Sequence, residues 1–309
     1  MFAHDFVRNA YLAGTPIAIA CGVVGYLVVL RSQVFAGDAL SHVAFVGAIG
    51  AAVLGFDVRV GLFVATIAVA LAMAALGRRG EAVDTVIGIV FAWILGIGIL
   101  LITLLATSAL GGQGIAATNT LFGSIYALSA SAARIAALVA LLVAGAVTLA
   151  FRPLLLSTVD SELAAIRGIR VRALGAAFLV ALAVITAEST QAVGALLLLG
   201  LLAAPAGAAH QLTNRPYRGL VLSAALSLLA VWGGLALSYA IASLPPSSAI
   251  IGLAALSFAL ATLFARLRAN RGPAGGPGGS RNPNRRRILK LRAKGDPAAT
   301  RRTSSQPVG

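Results

Sequence analysis

The segment from Gly37 to Gly55 has the sequence GDALSHVAFVGAIGAAVLG. It is mostly apolar, but near its start Asp38 and His42 stand four residues apart. Residues at this spacing lie on one face of an α-helix, so both side chains can contact one ion. Ionisable groups at membrane depth are costly and usually functional, and a carboxylate with an imidazole suits a divalent transition metal. The segment therefore predicts a membrane helix that carries a metal site.

The composition of the chain indicates a membrane protein. Of its 309 residues, 59% are hydrophobic and 11% are charged, whereas a soluble domain has about a quarter charged residues. The 34 glycines suit helices that pack closely in lipid. Cys21 is the single cysteine, which excludes an intrachain disulfide and a thiolate metal cluster. We expect an all-α, polytopic integral membrane protein.

Hydrophobic runs long enough to cross a bilayer core of about 30 Å occur nine times, so eight to nine transmembrane helices are expected. The second and sixth runs are short and are candidates for broken helices. The approximate bounds are 11–30, 38–55, 60–76, 84–106, 133–151, 172–187, 191–211, 218–243 and 248–264.

The arginines between these runs indicate the orientation. Cytoplasmic loops carry an excess of positive charge, so arginines in alternate loops predict a cytoplasmic-membrane protein with its N-terminus outside and its C-terminus inside. The arginines in question are Arg31, Arg78 with Arg79, four within residues 152–172, and Arg215 with Arg218.

A transmembrane domain of residues 1–268 and a basic tail of residues 269–309 are expected. The tail is rich in Gly, Pro, Asn and Ser, so it cannot bury a core and is predicted to be disordered in the cytoplasm. Its arginines favour contact with anionic membrane lipid over nucleic acid, because no aromatic residues stand between them.

The longest predicted inside loop, about residues 152–172, contains a second candidate site. Thr158 to Gly168 predicts a short helix, because acids at its start favour the helix dipole and Gly168 can terminate it. Leu163 to Ala165 offer a small apolar surface. A partner protein could dock there, or the helix could simply join two spans at the membrane interface.

The sequence contains no nucleotide-binding motif. The lysines, Lys290 and Lys294, lie in the tail, and neither follows the Gly-x-x-x-x-Gly pattern that binds phosphate. Energy for active transport would therefore come from another subunit or from an ion gradient. The second option usually shows internal repeats and several intramembrane acids, of which the sequence has little sign.

Five stretches, in order along the chain, carry a family resemblance. They are GDALSH at 37–42, EAVDTVIGI at 81–89, LFGSI at 121–125, the loop 160–169, and VGALL at 193–197 followed by Pro205-Ala206. Through these stretches, the sequence from about Tyr11 to Phe264 resembles the permeases of zinc and manganese ABC importers.

The resemblance implies an ABC importer permease fold of the metal and vitamin B12 type, assembled as a homodimer. It implies two partners, a cytoplasmic ABC ATPase and an extracytoplasmic metal-binding protein that delivers the ion. The cargo is expected to be Zn²⁺ or Mn²⁺, with iron also possible and zinc favoured. No permanently bound cofactor, no nucleic-acid partner and no enzymatic activity are expected, since ATP acts only through the partner subunit.

Two sets of residues match functional positions of that family. Asp38 and His42 match its pathway acid and histidine. The stretch from Asp160 to Gly168 matches its coupling helix, which seats in a groove of the ATPase, although this chain has Asp160-Ser161 where the family usually has Asp-Pro. The expected coupling residues are Asp160, Ser161, Glu162, Ala165 and Gly168.

Helix geometry divides the metal helix into two faces. At 100° per residue, Gly47, Ala51 and Gly55 centre roughly 160° away from Asp38 and His42. Small residues let a neighbouring helix approach closely, so we expect helix packing on that face and the metal pathway on the other.

The metal site is expected to be incomplete. Two ligands are fewer than the four of a tight zinc site, and an ion that binds too well cannot leave. A second copy of the chain could add its own Asp38 and His42 about a two-fold axis. In the alternative interpretation, Asp38 caps the helix after Gly37, and His42 is hydrogen-bonded in the core.

Four further residues have weaker predictions. Glu188 is expected in an external turn, where it could attract cations at the entrance or be merely solvated. Pro205 could supply a kink or hinge, or be a tolerated packing feature. His210 is favoured to compensate a helix dipole rather than release metal, and Asp84 to cap a helix.

The predicted function is the permease subunit of an ATP-driven importer of a divalent transition metal. An ATPase-independent secondary transporter or channel is one alternative, and a non-transport membrane scaffold is another. Zinc, manganese and iron all remain open, because carboxylate and imidazole accept all three.

Overall fold

The computed structural model describes residues 4–77, 83–107, 123, 125–195, 198–241 and 243–271. Parts of three family stretches, at 81–82, 121–122 with 124, and 196–197, lie outside these ranges, as does the predicted tail beyond Arg271. Within the described ranges the regular structure is helical. The helices are α1 Asp5–Leu30, α2 Val34–Val53, α3 Val58–Leu76, α4 Asp84–Thr107, a 3-10 turn Ile125–Ala127, α5 Ala130–Leu149, α6 Phe151–Val159, α7 Ser161–Ile166, α8 Val171–Val193, α9 Leu198–Leu212, α10 Pro216–Ala240 and α11 Pro246–Arg271.

Eight of the described helices are long and apolar enough to cross a membrane, namely α1 to α5, α8, α10 and α11. The apolar helix α9, with 15 residues, takes the place of the seventh predicted span. The all-α, polytopic fold class is therefore confirmed. Helix α11 continues to Arg271, past residue 268 where the transmembrane domain is expected to end.

The prediction that the second and sixth spans are short is wrong. Helix α2 has 20 residues and α8 has 23. Two polar side chains near the end of α8 have partners within the bundle. Glu188 pairs with Arg59 of α3, and the Thr190 hydroxyl donates to the Thr186 carbonyl at 2.7 Å.

Helix α1 lies at the centre of the bundle and α4 at its edge. In α1, 78% of the most apolar window is buried, compared with 11% in α4. Small residues allow α1 to approach its neighbours closely, since a Cβ at Gly22 would come 2.5 Å from the Ala224 Cα of α10. The Ser223 hydroxyl joins the same two helices by donating to the Gly22 carbonyl at 2.7 Å.

Two ends of the bundle can be told apart by their contacts. At one end, which we call the coupling end, the α1–α2 turn meets α6 through hydrogen bonds from Arg31. At the opposite end, Arg59 near the start of α3 contacts Glu188 near the end of α8. Helix α2 begins at the coupling end, so Asp38 and His42 lie nearer that end than the other.

Candidate functional site

Asp38 lies inside α2 rather than at its N-cap. The helix begins at Val34 with Gln33 in the N-cap position, which leaves Asp38 in the second turn. The interpretation of Asp38 as a helix cap is therefore wrong. Its side chain and that of His42 are both half-buried and lie one turn apart on the helix.

Asp38 lines a cavity of about 470 Å³ between α2 and α4. His42 borders the same region, because its ring meets the ring of Phe91 edge-on with 5.1 Å between centroids. The lining residues of the cavity are Phe35, Asp38, Asp84, Ile87, Gly88 and Phe91. A carboxylate therefore stands on each side of an otherwise apolar space.

Asp84 is the residue that sequence reasoning missed. The sequence predicts Asp84 as the cap of α4. Asp84 is the first residue of that helix, and its side chain lines the same cavity as Asp38. Helices α2 and α4 run parallel, since Gly98 of α4 packs against Val46 and Leu101 packs against Gly50. Two acids near the starts of parallel neighbouring helices lie at the same depth, and that pattern is the signal that could have identified Asp84.

The described part of one chain does not contain a complete metal site. Among the side chains in the described ranges, no three of His, Cys, Asp and Glu are grouped closely enough to hold a metal ion. A tight structural zinc site takes four protein ligands. The geometry suits an ion that keeps some water, takes ligands from a second copy, or stays only briefly.

The opposite face of α2 packs against α3. A Cβ at Gly47 would come 2.5 Å from the Ala65 Cβ and 2.7 Å from the Gly61 carbonyl oxygen. Ala51 contacts Gly61 from the same face. The close approach of these two helices thus depends on small residues on both sides.

Gly55, expected on the packing face, instead ends the helix. Its φ of +75° is a left-handed conformation that glycine adopts without strain, and a Cβ there would meet nothing within 4 Å. The Phe56 amide donates to the Ala51 carbonyl at 2.9 Å and the Gly55 amide to the Ala52 carbonyl at 3.2 Å. This pair of bonds is a Schellman motif, which satisfies the last carbonyls of α2.

The predicted coupling helix is α7, and it is capped at both ends. The Asp160 carboxylate accepts the amides of Glu162 at 3.0 Å and Leu163 at 2.9 Å. At the other end Gly168, with a φ of +79°, donates to the Ala165 carbonyl at 2.9 Å. Asp160 and Gly168 therefore shape the helix, whereas Glu162 and Ala165 are exposed and Ser161 is half-buried.

The exposed apolar surface of this loop differs from the predicted one. Ala164 points inward and is fully buried. Ile166 is 82% exposed and Val159 is 77% exposed, and Leu163 lies between them in sequence. Exposed apolar side chains on an otherwise polar loop are typical of a docking surface. We call Val159, Leu163 and Ile166 the loop patch.

Glu188 does not lie in an exposed turn, so that prediction is wrong. It is within α8, its side chain is 1% exposed, and it accepts a hydrogen bond from the Arg59 guanidinium. A buried carboxylate requires a partner of opposite charge, and Arg59 from α3 supplies it. The pair joins α3 to α8 at the end of the bundle opposite α7.

Pro205 and His210 both lie in α9, where it contacts α1. Pro205 is buried, and Gly25 of α1 packs onto the Leu202 carbonyl one turn before it. The His210 ring stacks on Tyr26 with 4.3 Å between centroids, and its Nε2 lies 3.1 Å from the Tyr26 carbonyl oxygen. His210 thus takes part in helix packing.

Similar proteins include transporters of several metals. The manganese transport system membrane protein MntC of Halalkalibacterium halodurans is 30% identical over 267 residues, which cover 85% of this chain and 89% of MntC. The high-affinity zinc uptake system membrane protein ZnuB of Haemophilus influenzae is 28% identical and covers 76% of this chain and 88% of ZnuB. A probable iron transport system membrane protein of the same organism is 26% identical, over 85% of this chain and 95% of the relative.

The fold has a solved counterpart. The structure of PsaBC from Streptococcus pneumoniae in complex with Fab matches with a TM-score of 0.73 and 25% identity, over 86% of this chain and 96% of that one. The sequence pattern of the family described as ABC 3 transport family matches residues 3–265. The chain therefore belongs to the ABC 3 transport family, and it is a transport permease rather than an enzyme.

Proposed function

We propose that this chain is the permease subunit of an ATP-driven importer of Mn²⁺ or Zn²⁺, and that the ion passes α2 at Asp38 and His42. The observation that carries the proposal is the cavity between α2 and α4, which has a carboxylate on each side and His42 at its border. Partial replacement of the water shell by these groups lets an ion enter without being trapped.

The donor set favours manganese as the first candidate. Asp38 and Asp84 offer carboxylate oxygens along the cavity and His42 one imidazole nitrogen at its border, although the three are not grouped closely enough in one chain to hold a single ion together. Carboxylate and water suit Mn²⁺, whereas additional imidazole or thiolate would suit Zn²⁺ better. The named functions of MntC and ZnuB support testing both metals.

The proposal includes a homodimer. An incomplete site in one chain is completed when a second copy brings its own Asp38 and His42 to the same ion. Helix α4, which is largely exposed outside its contact with α2, offers a surface on which a second copy can pack.

The coupling end of the bundle faces the cytoplasm in this proposal. The arginines in the loop between α5 and α8 support that orientation. The ATPase contacts helix α7 and the loop patch from the cytoplasm. Helix α7 is held in shape by the caps at both of its ends. An extracytoplasmic binding protein delivers the ion at the opposite end.

Reconstitution of the permease with its ATPase and binding protein in proteoliposomes tests the proposal. We expect ATP-dependent uptake of Mn²⁺ or Zn²⁺ that is abolished by His42→Ala and by Asp38→Asn. The matched control is Asp5→Asn, because Asp5 is an exposed acid near the N-terminus. Uptake without ATP would favour a secondary transporter or channel, and no uptake of Mn²⁺, Zn²⁺ or Fe²⁺ would favour a scaffold.

A further inference from the structure

We infer that Arg31 is a positioning residue that transmits movement of the coupling helix α7 to the metal helix α2. This inference rests on the proposed function and assigns one side chain to the step that joins ATP hydrolysis to ion movement. Arg31 directly follows α1, and α2 begins three residues later. Its guanidinium contacts two other elements of the coupling end.

The first element is the last turn of α6. Arg31 Nε donates to the Thr158 hydroxyl at 3.0 Å, and Nη2 donates to the Ser157 hydroxyl at 2.8 Å. Nη2 also lies 3.4 Å from the Leu154 carbonyl oxygen. The Leu154 carbonyl also accepts from the Ser157 hydroxyl at 2.9 Å and the Thr158 hydroxyl at 2.7 Å, so Arg31 and both hydroxyls form one hydrogen-bonded cluster on α6. Thr158 stands two residues before Asp160, the cap of α7.

The second element is α8, which follows α7 along the chain. The Arg31 guanidinium carbon lies 4.9 Å from the centroid of the buried Phe178 ring. A planar guanidinium can donate hydrogen bonds from its edge while its face stacks on an aromatic ring. Arg31 thus contacts the elements on both sides of α7. A lysine could carry the charge but could not make both contacts.

The connection from Arg31 to the metal helix is short and constrained. Ser32 has a φ of +56°, a conformation that non-glycine residues rarely adopt. Gln33 is buried, and its backbone N–H donates to the Val28 carbonyl at 2.9 Å. These features hold the α1–α2 turn in one conformation, so we expect it to move as a unit with Arg31. A shift of α6 therefore moves Arg31, the turn, and the first two turns of α2, which carry Asp38.

The test compares ion uptake with ATP hydrolysis in the same proteoliposomes, containing permease, ATPase and binding protein. Arg31→Gln removes the charge and the cation–π contact, and Arg31→Lys keeps only the charge. We expect the number of Mn²⁺ ions moved per ATP to fall at least about fivefold in Arg31→Gln, the lower end of coupling between distant sites. Arg31→Lys should give an intermediate value. ATP hydrolysis itself should persist.

Two further variants separate coupling from a merely structural role. Ser157→Ala with Thr158→Val removes the hydroxyls that receive Arg31 and should lower the same ratio. Adding Arg31→Gln to this pair should lower the ratio no further, because all three changes remove one connection. Arg152→Gln is the matched control and should leave the ratio unchanged, since Arg152 lies in the first turn of α6 and donates to the Tyr217 hydroxyl rather than to the α1–α2 turn.

The inference is overturned if Arg31→Gln and the hydroxyl variant both keep the wild-type ratio. It is equally overturned if uptake and hydrolysis fall in proportion, because Arg31 then serves only assembly. If wild-type protein transports with ATP but the ratio ignores Arg31, the proposed function stands and this inference alone fails. Absence of ATP-dependent uptake of Mn²⁺, Zn²⁺ and Fe²⁺ by the wild type overturns both.

Discussion

Asp38, in the second turn of α2, and Asp84, at the start of α4, line one cavity between the two helices. No basic residue is among the side chains that line this cavity in the described part of the chain. Two carboxylates in an apolar surround repel each other when both are ionised, and a divalent cation between them relieves that repulsion. The arrangement gives the cavity a preference for cations.

Asp84 is therefore expected to contribute to transport. We predict that Asp84→Asn lowers the efficiency of Mn²⁺ uptake by about tenfold, the scale expected for loss of a group that supports a metal site. The permease should still be purified with its ATPase. Initial uptake rates over a range of Mn²⁺ concentrations provide the measurement, with Asp5→Asn as the control. Equal rates for Asp84→Asn and wild type would remove Asp84 from the pathway.

The close contact between α2 and α3 should not tolerate a larger residue. Gly47→Leu forces a side chain into Ala65 and Gly61 and is expected to destabilise the protein by about 1–3 kcal/mol. Gly145→Leu is the matched control, because a Cβ at Gly145 meets nothing within 4 Å. Thermal unfolding in detergent measures both variants. Similar midpoints for the two leucine variants would contradict the packing described for Gly47.

Single and double replacements of the half-buried Arg59 and the buried Glu188 should differ in their effect on stability. Glu188→Gln leaves the Arg59 charge without its partner, which is expected to cost about 3 kcal/mol of stability. Replacing both residues, with Arg59→Met and Glu188→Leu, should recover most of that loss because no unpaired charge remains. Unfolding midpoints of the single and double variants form the test. A double variant less stable than Glu188→Gln would contradict this account of the pair.

The loop patch should determine binding of the ATPase. We predict that Ile166→Glu weakens association by about tenfold, which corresponds to roughly 1.4 kcal/mol. The reason is that a charge at this largely exposed apolar side chain opposes burial in a partner's groove. Ile166→Leu keeps the apolar surface and should bind normally. Copurification at several ATPase concentrations measures the effect, and equal binding of both variants would exclude Ile166 from the interface.

Local patterns in the sequence predict much of this molecule. The four-residue spacing of Asp38 and His42 identifies one helix face, and the caps of α7 follow from Asp160 and Gly168. These features depend on a few neighbouring residues. The family resemblance supplies the fold class, which the comparisons confirm.

Features that depend on tertiary structure are the ones that sequence reasoning missed. Asp84 joins the site because α4 runs parallel to α2, and no local pattern shows that arrangement. From the sequence, Glu188 is predicted in a turn. In the structure it lies within the bundle because Arg59, which is distant in sequence, supplies the opposite charge. Gly55 continues the small-residue pattern, but its left-handed conformation ends the helix instead.

The transported ion is expected to contact the imidazole of His42. Pulsed electron paramagnetic resonance of Mn²⁺ bound to the assembled transporter, with ¹⁵N-histidine introduced only in the permease, measures that contact directly. We expect a coupling between Mn²⁺ and ¹⁵N in the wild type and in His4→Gln. The coupling should disappear in His42→Gln. A coupling that survives in His42→Gln, or is absent from the wild type at saturating Mn²⁺, would contradict it.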